Sequence, residues 1–118
     1  ERIVRLFASP FGARILEAKT LRREFKFSIL TDAGEYVREA AGEQVMLQGV
    51  VDCFWLEPDG IVLVDFKTDK TPYGPEERAA HYAPQLRAYA KALSRMYNLP
   101  VKEKILYFFS CDCAYRLE

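Results

Sequence analysis

Apolar and polar positions alternate from Leu21 to Leu30, with Phe25, Phe27 and Ile29 on one side and Glu24, Lys26 and Ser28 on the other. A period of two predicts a half-buried strand. Two denser runs follow, Gln48–Trp55 and Val62–Asp69, rich in β-branched and aromatic residues, with the turn signal Glu57-Pro58-Asp59-Gly60 between them. An antiparallel hairpin on that turn sets Leu56 opposite Ile61, Phe54 opposite Leu63, Asp52 opposite Asp65 and Val50 opposite Lys67. One face then carries Val51, Cys53, Trp55, Val62, Val64 and Phe66; the other carries Val50, Phe54, Leu56, Ile61 and Leu63 beside the two aspartates and Lys67. Apolar residues on both faces predict a central sheet covered on both sides.

Around this hairpin the pattern is helical. Ile3, Val4, Leu6, Phe7, Phe11, Ile15 and Leu16 predict a helical segment over residues 1–19, interrupted at Ser9-Pro10, where a second helix starts with proline in its first turn. Between Asp32 and Gln44 the chain is polar, and Thr31 or Asp32 is placed to cap a short helix through Glu35–Arg38. Beyond the breaker-rich loop Thr68–Pro75, Leu86, Ala90, Leu93 and Tyr97 form a helical stripe, with Gln85 and Tyr89 on an adjoining face. Pro84 predicts a brief turn over Glu76–Tyr82 and a main helix from about Ala83. Val101–Ser110 reads as a buried strand reached by a crossover, parallel to a neighbour. Residues 111–118 form a tail with room for one more short strand.

Two carboxylates facing each other in apolar strands are costly. A bound divalent cation would turn that cost into a ligand set. A shared proton, neutralisation by Lys67, or one aspartate turned to solvent are the alternatives, and the residues alone leave all four open.

Gly49-Val50-Val51-Asp52, a turn, and then Val64-Asp65-Phe66-Lys67-Thr68-Asp69 resemble the nuclease superfamily named for its PD-(D/E)XK motif. Downstream, Gln85-Leu86-Arg87-Ala88-Tyr89 is similar to the QxxxY helix of its RecB-like branch, and upstream Arg23-Glu24-Phe25-Lys26-Phe27 is similar to that branch's acidic strand. Within the branch the nearest look is to the C-terminal nuclease domains of AddA-type subunits of bacterial helicase–nucleases. The resemblance implies an α/β fold, a restriction-endonuclease-like mixed central sheet with flanking helices. It implies Mg²⁺-dependent DNA hydrolysis, with Mn²⁺ able to substitute, in double-strand-break repair and recombination. Glu24, Asp52 and Asp65, with the carbonyl of Phe66, would hold the ion. Lys67 would serve the attacking water or the phosphorus, and Gln85 and Tyr89 would position the DNA. The implied partners are helicase domains of the same chain and an AddB-type subunit, in the bacterial cytoplasm. A histidine that the branch carries before the acidic strand has no counterpart here, and neither do the four cysteines that frame an iron–sulfur cluster in AddB-type domains. A stand-alone nuclease and a non-catalytic DNA-binding scaffold are the competing functions on this scaffold.

Composition narrows the picture further. The length of 118 residues suits one domain, and a half-hydrophobic, 14% aromatic chain can build a core. The chain begins at Glu1, within a helical pattern, which predicts a piece of a larger polypeptide. Seventeen basic residues balance seventeen acidic ones, which disfavours an autonomous nucleic-acid binder and suits a module that is handed its strand. Arg22, Arg23, Lys70 and Arg87 are candidates for backbone contacts, with solvated surface as the alternative for each. His81, the one histidine, reads as a surface or capping residue. No apolar run approaches the roughly 20 residues of a membrane span, and no signal peptide is visible. Cys53, Cys111 and Cys113 make no disulfide framework and read as reduced thiols; Cys111-x-Cys113 is at most half a metal site.

Overall fold

The computed structural model describes residues 2–35 and 37–118. Its elements are α1 (Arg2–Ala8), α2 (Pro10–Glu17), β1 (Arg22–Asp32), β2 (Gln44–Glu57), β3 (Gly60–Lys67), α3 (Pro75–Tyr97), β4 (Val101–Phe108) and β5 (Cys113–Leu117). The strands form one sheet in the order β1-β2-β3-β4-β5, antiparallel except for the β3–β4 pair, which is parallel across the α3 crossover. This is the mixed sheet with flanking helices that the sequence predicts.

Helices cover both faces. Leu6 and Ile15 of α1 and α2 pack on Cys53, Trp55, Val62, Val64, Ile105 and Tyr107. On the other face, Ala79, Ala83, Leu86, Ala90 and Leu93 of α3 pack on Phe27, Val51, Phe54, Ile61, Leu63 and Leu106. The break at Ser9-Pro10 lies where expected: Ser9 caps α2 by accepting the Gly12 amide at 3.0 Å, and Pro10 opens the helix. Gly12 is required there, since a Cβ would stand 2.0 Å from the carbonyl oxygen of Leu6.

Several expectations are corrected. Instead of a turn and then a helix, one continuous helix runs from Pro75 to Tyr97 with Pro84 inside it. Pro75 takes the first-turn position, and Glu76 and Glu77 complement the dipole there, so the helix starts before Pro84 and tolerates it at the cost of one backbone bond. The short helix expected through Glu35–Arg38 is replaced by two 3₁₀ turns, Ala33–Glu35 and Arg38–Ala40, with Tyr36 outside the described residues. Asp32 does cap this excursion, accepting the amides of Gly34 at 2.7 Å and Gly42 at 3.1 Å. Cys111 and Cys113 are joined as a disulfide rather than reduced. The left-handed Asp112 between them (φ 51°) folds the β4–β5 turn back so that the Cα atoms are 5.2 Å apart.

The faces of β1 and β2 hold the correction that matters most for function. Val51 does not share a face with Cys53 and Trp55; it belongs to the α3 side, and Val50 is 45% exposed. Similarly Leu21 packs toward α1 and α2, whereas Phe25, Phe27 and Ile29 face α3. Residues two apart in a regular strand share a face. Both strands therefore change face, β1 at Glu24 and β2 at Asp52. The ladder passes from Arg23–Cys53 to Phe25–Val51 and omits this pair, and Glu24 has a positive φ of 50°. A left-handed non-glycine residue costs about 1–2 kcal/mol.

Candidate active site

The face change leaves a gap in the sheet, and a cleft of about 590 Å³ opens there, lined by Arg23, Glu24, Asp52 and Phe66. Asp52 reaches it from β2 and Phe66 from β3, while Asp65 and Lys67 are not among its lining residues. The hairpin register holds at Leu56–Ile61 and Phe54–Leu63 but ends at Cys53–Val64, so Asp52–Asp65 and Val50–Lys67 are not ladder partners. The side chain of Asp52 takes over where the backbone stops, its Oδ2 accepting the Phe66 amide at 2.9 Å.

The two aspartates still meet. Asp65 is buried at 7% exposure. Its carboxyl is pushed up to about 6, first by burial and then by sharing a hydrogen bond with Asp52, with Lys67 acting in the opposite direction. Lys67 donates from Nζ to Asp65 Oδ2 at 2.8 Å, and its side chain is only 18% exposed. Of the four ways to relieve the clash, the pairing lysine is seen directly, and the upward shift of Asp65 is in the direction that a shared proton would need. Neither aspartate is turned wholly to solvent: Asp65 is buried and Asp52 half-buried.

The other expected residues are distributed around this centre. Glu24 is exposed at the cleft's rim. Among the described residues, no three His, Cys, Asp or Glu side chains converge closely enough to hold an ion as they stand. Gln85 and Tyr89 sit together on α3, with Gln85 Nε2 donating to the Tyr89 hydroxyl at 3.3 Å. They do not line the cleft; the Tyr89 ring packs edge-on to Phe27, at 5.2 Å between centroids, and against Gly49. Of the four candidate basic residues, Arg23 lines the cleft. Arg87 lies in a groove beside Tyr115–Glu118, remote from it, and Arg22 and Lys70 are exposed. His81 is exposed with its ring edge-on to Tyr82.

One group of residues was not anticipated. The Lys67 ammonium lies over the Tyr82 ring, 3.9 Å from its centroid. The Tyr82 hydroxyl donates to Asp69, which also accepts from Arg78 Nε at 3.1 Å. The Tyr82 hydroxyl, more than Arg78, holds the Asp69 carboxyl below the usual carboxylate range. The i, i+4 spacing of Arg78 and Tyr82 was the available signal, obscured by reading residues 76–82 as a turn.

A hard cation fits the chemistry of this donor set. Paired carboxylates offer hard oxygen ligands, and Lys67 alone offsets only part of the charge that Asp52 and Asp65 bring together.

The family described as the PD-(D/E)XK nuclease superfamily matches residues 1–115. An ATP-dependent helicase/nuclease subunit from Bacillus cytotoxicus is 45% identical over 120 residues, which cover 92% of this chain and 10% of that protein. The protein of the same name from Bacillus thuringiensis (strain Al Hakam) is 40% identical over 129 residues, covering 100% of this chain and 10% of that protein, and the Bacillus anthracis protein matches equally. The chain thus spans about a tenth of the length of the curated relatives it matches.

Proposed function

Since this chain belongs to the PD-(D/E)XK nuclease superfamily, we propose that it hydrolyses DNA phosphodiesters with Mg²⁺, as the exonuclease domain of a helicase–nuclease in double-strand-break repair and recombination. The observation that carries this reading is Asp65 near the end of β3, paired to Lys67 at 2.8 Å and close to Asp52 of β2, which lines an open cleft.

Asp52 and Asp65 are the central ligands in this reading, with Glu24 and the Phe66 carbonyl completing the set; Mn²⁺ can replace Mg²⁺. When bound, the ion neutralises charge on the scissile phosphate and makes an acidic, nucleophilic water available. Asp52 also accepts the amide of Phe66, the residue before Lys67, and so helps to hold the end of β3. Lys67, as an ammonium, has three donors and no acceptor. In that form it orients the attacking water and stabilises the phosphate oxygens. Arg23, which lines the cleft, would meet a backbone phosphate in this reading. Gln85 and Tyr89 are assigned to the strand's position along α3.

The balance of seventeen basic and seventeen acidic residues supports a module with little intrinsic hold on DNA. Helicase domains of the same polypeptide would deliver the strand, and an AddB-type subunit would complete the machine in the bacterial cytoplasm. Among the described residues no helix is long and apolar enough to cross a membrane.

The test is Asp65→Ala in the full-length polypeptide, with Mg²⁺-dependent cleavage of linear DNA as the readout. A fall of at least about a hundredfold, equivalent to roughly 3 kcal/mol of barrier, is expected. Cleavage at the unchanged rate by a variant with unchanged circular dichroism would remove the assignment.

A further inference from the structure

Lysine on a strand end has four rotatable bonds, and a single ion pair does not fix where its ammonium points. Lys67 is held from two sides. Asp65 accepts from it at 2.8 Å, and the Tyr82 ring lies beneath it at 3.9 Å. Tyr82 comes from the first half of α3, so the contact joins helix to strand across the loop that follows β3. The ring is itself anchored: its hydroxyl donates to both carboxylate oxygens of Asp69, at 2.8 and 3.0 Å. Arg78, one turn earlier on α3, ties the same carboxylate at 2.9 Å from Nη2. A ring serving only to fill space would not need a hydroxyl bonded in this way to the loop two residues past the lysine.

We propose that Tyr82 is a positioning residue for Lys67, its ring face seating the ammonium and its Asp69-anchored hydroxyl fixing the ring. The role rests on the reading of Lys67 as a group that acts on the reacting phosphate or water. Asp69 and Arg78 act one step further back, through the hydroxyl. The attraction of a cation to an aromatic face survives Tyr→Phe and is lost with an aliphatic side chain. A small displacement of a positioned group lowers the rate without weakening substrate binding.

The experiment uses the full-length polypeptide and Mg²⁺-dependent cleavage of linear DNA under steady-state conditions. Tyr82→Leu is expected to lower kcat by about tenfold while KM for DNA stays within about twofold, and Tyr82→Phe to stay within about threefold of wild type. Asp69→Ala, which takes away the acceptor of the hydroxyl without touching the ring, is expected to lower kcat by about threefold, and it serves if Tyr82→Leu does not fold. Lys67→Ala supplies the cycle: with the lysine gone, adding Tyr82→Leu should cost nothing more. If Lys67→Ala loses cleavage but Tyr82→Leu and Asp69→Ala keep the wild-type kcat, or if the Tyr82 and Lys67 effects multiply, the positioning role is overturned and the nuclease reading stands. If Lys67→Ala cleaves at the wild-type rate, the catalytic reading of Lys67 falls, and the role of Tyr82 with it.

Discussion

Gly49 lies directly against the ring of Tyr89: a Cβ on the glycine would stand 2.6 Å from Cε1 and 2.8 Å from the hydroxyl oxygen. The glycine of the Gly-Val-Val-Asp run is thus explained by a helix residue forty positions later. The ring has little room to withdraw, being edge-on to buried Phe27 and bonded through its hydroxyl to Gln85.

Gly49→Ala is expected to push the ring off this seat, at a cost of about 1–3 kcal/mol for overpacking. For a chain of this size that lowers the thermal midpoint by roughly 4 °C per kcal/mol. Tyr89→Phe, which fits the seat but loses the bond to Gln85, should melt within about 1 kcal/mol of wild type. Differential scanning calorimetry separates the two, and an alanine variant that melts with wild type would show that the contact imposes no constraint.

Asp65 makes stability depend on pH, and the proposed ion binding should depend on pH in the opposite sense. Its carboxyl is raised from 3.8 to about 6 in the folded chain, chiefly by burial and then by Asp52, against the pull of Lys67. The folded state therefore binds more protons than the unfolded state between these values. Its contribution to metal-free stability is full below about 3.8 and is lost as pH rises through about 6. With Asp65 as a ligand, as proposed, Mg²⁺ would have to displace that proton, so affinity should fall as pH drops below about 6, with proton release per ion bound rising toward one. Calorimetric titration in two buffers of different ionisation enthalpy measures this release directly. Asp52→Asn keeps an acceptor for the Phe66 amide but removes the like charge. It should shrink the pH slope and melt no lower than wild type without metal, while Mg²⁺ affinity falls. A wild-type proton release that stays near zero at pH 5 would contradict the assignment of Asp65 as the titrating ligand.

Much of the fold could be read from residue patterns because the patterns are the packing. Phe25, Phe27 and Ile29 alternate since α3 covers one side of β1, and the Leu56–Ile61 and Phe54–Leu63 register follows from a short loop at Pro58-Asp59. The parallel strand β4 was legible from helix-then-strand order. What a period-two reading misses is a change of face within a strand. Glu24 takes a left-handed backbone that no local residue signal announces, and Val51 is assigned to the wrong side as a result. The break that defeats the pattern is the one that opens the cleft, in keeping with local rules failing where function is built. Tyr82 was missed for a different reason: Pro84 reads as a helix breaker, and the turn assigned before it hid the face that Arg78 and Tyr82 share.

Arg14 offers a way to separate stability from chemistry. It lies on α2 and reaches the beginning of β4, at the opposite end of β3 from Asp65 and Lys67. Nη1 donates to Glu103 Oε1 at 3.0 Å while Nη2 pairs with the other oxygen of the same carboxylate, a two-pronged contact. Glu57 joins it at 3.4 Å and is itself held by Lys102 and by the Trp55 indole at 2.8 Å. Lys102 and then Trp55 lower the Glu57 carboxyl to about 2, and the guanidinium lies 5.7 Å from the Trp55 ring centroid. Glu103 keeps only 12% of its side-chain surface exposed, so its charge depends on this partner, Arg116 approaching no closer than 4.0 Å. Arg14→Ala is therefore expected to cost about 1–3 kcal/mol, through a carboxylate left half-desolvated. Arg14→Lys should recover part of that, since an ammonium cannot form the paired contact. Urea midpoints measure both, and cleavage per folded molecule should remain at the wild-type rate in each variant. A large fall in that rate with the fold intact would mean that the helix layer communicates with the cleft through the sheet, which the separation of the two sites along β3 argues against.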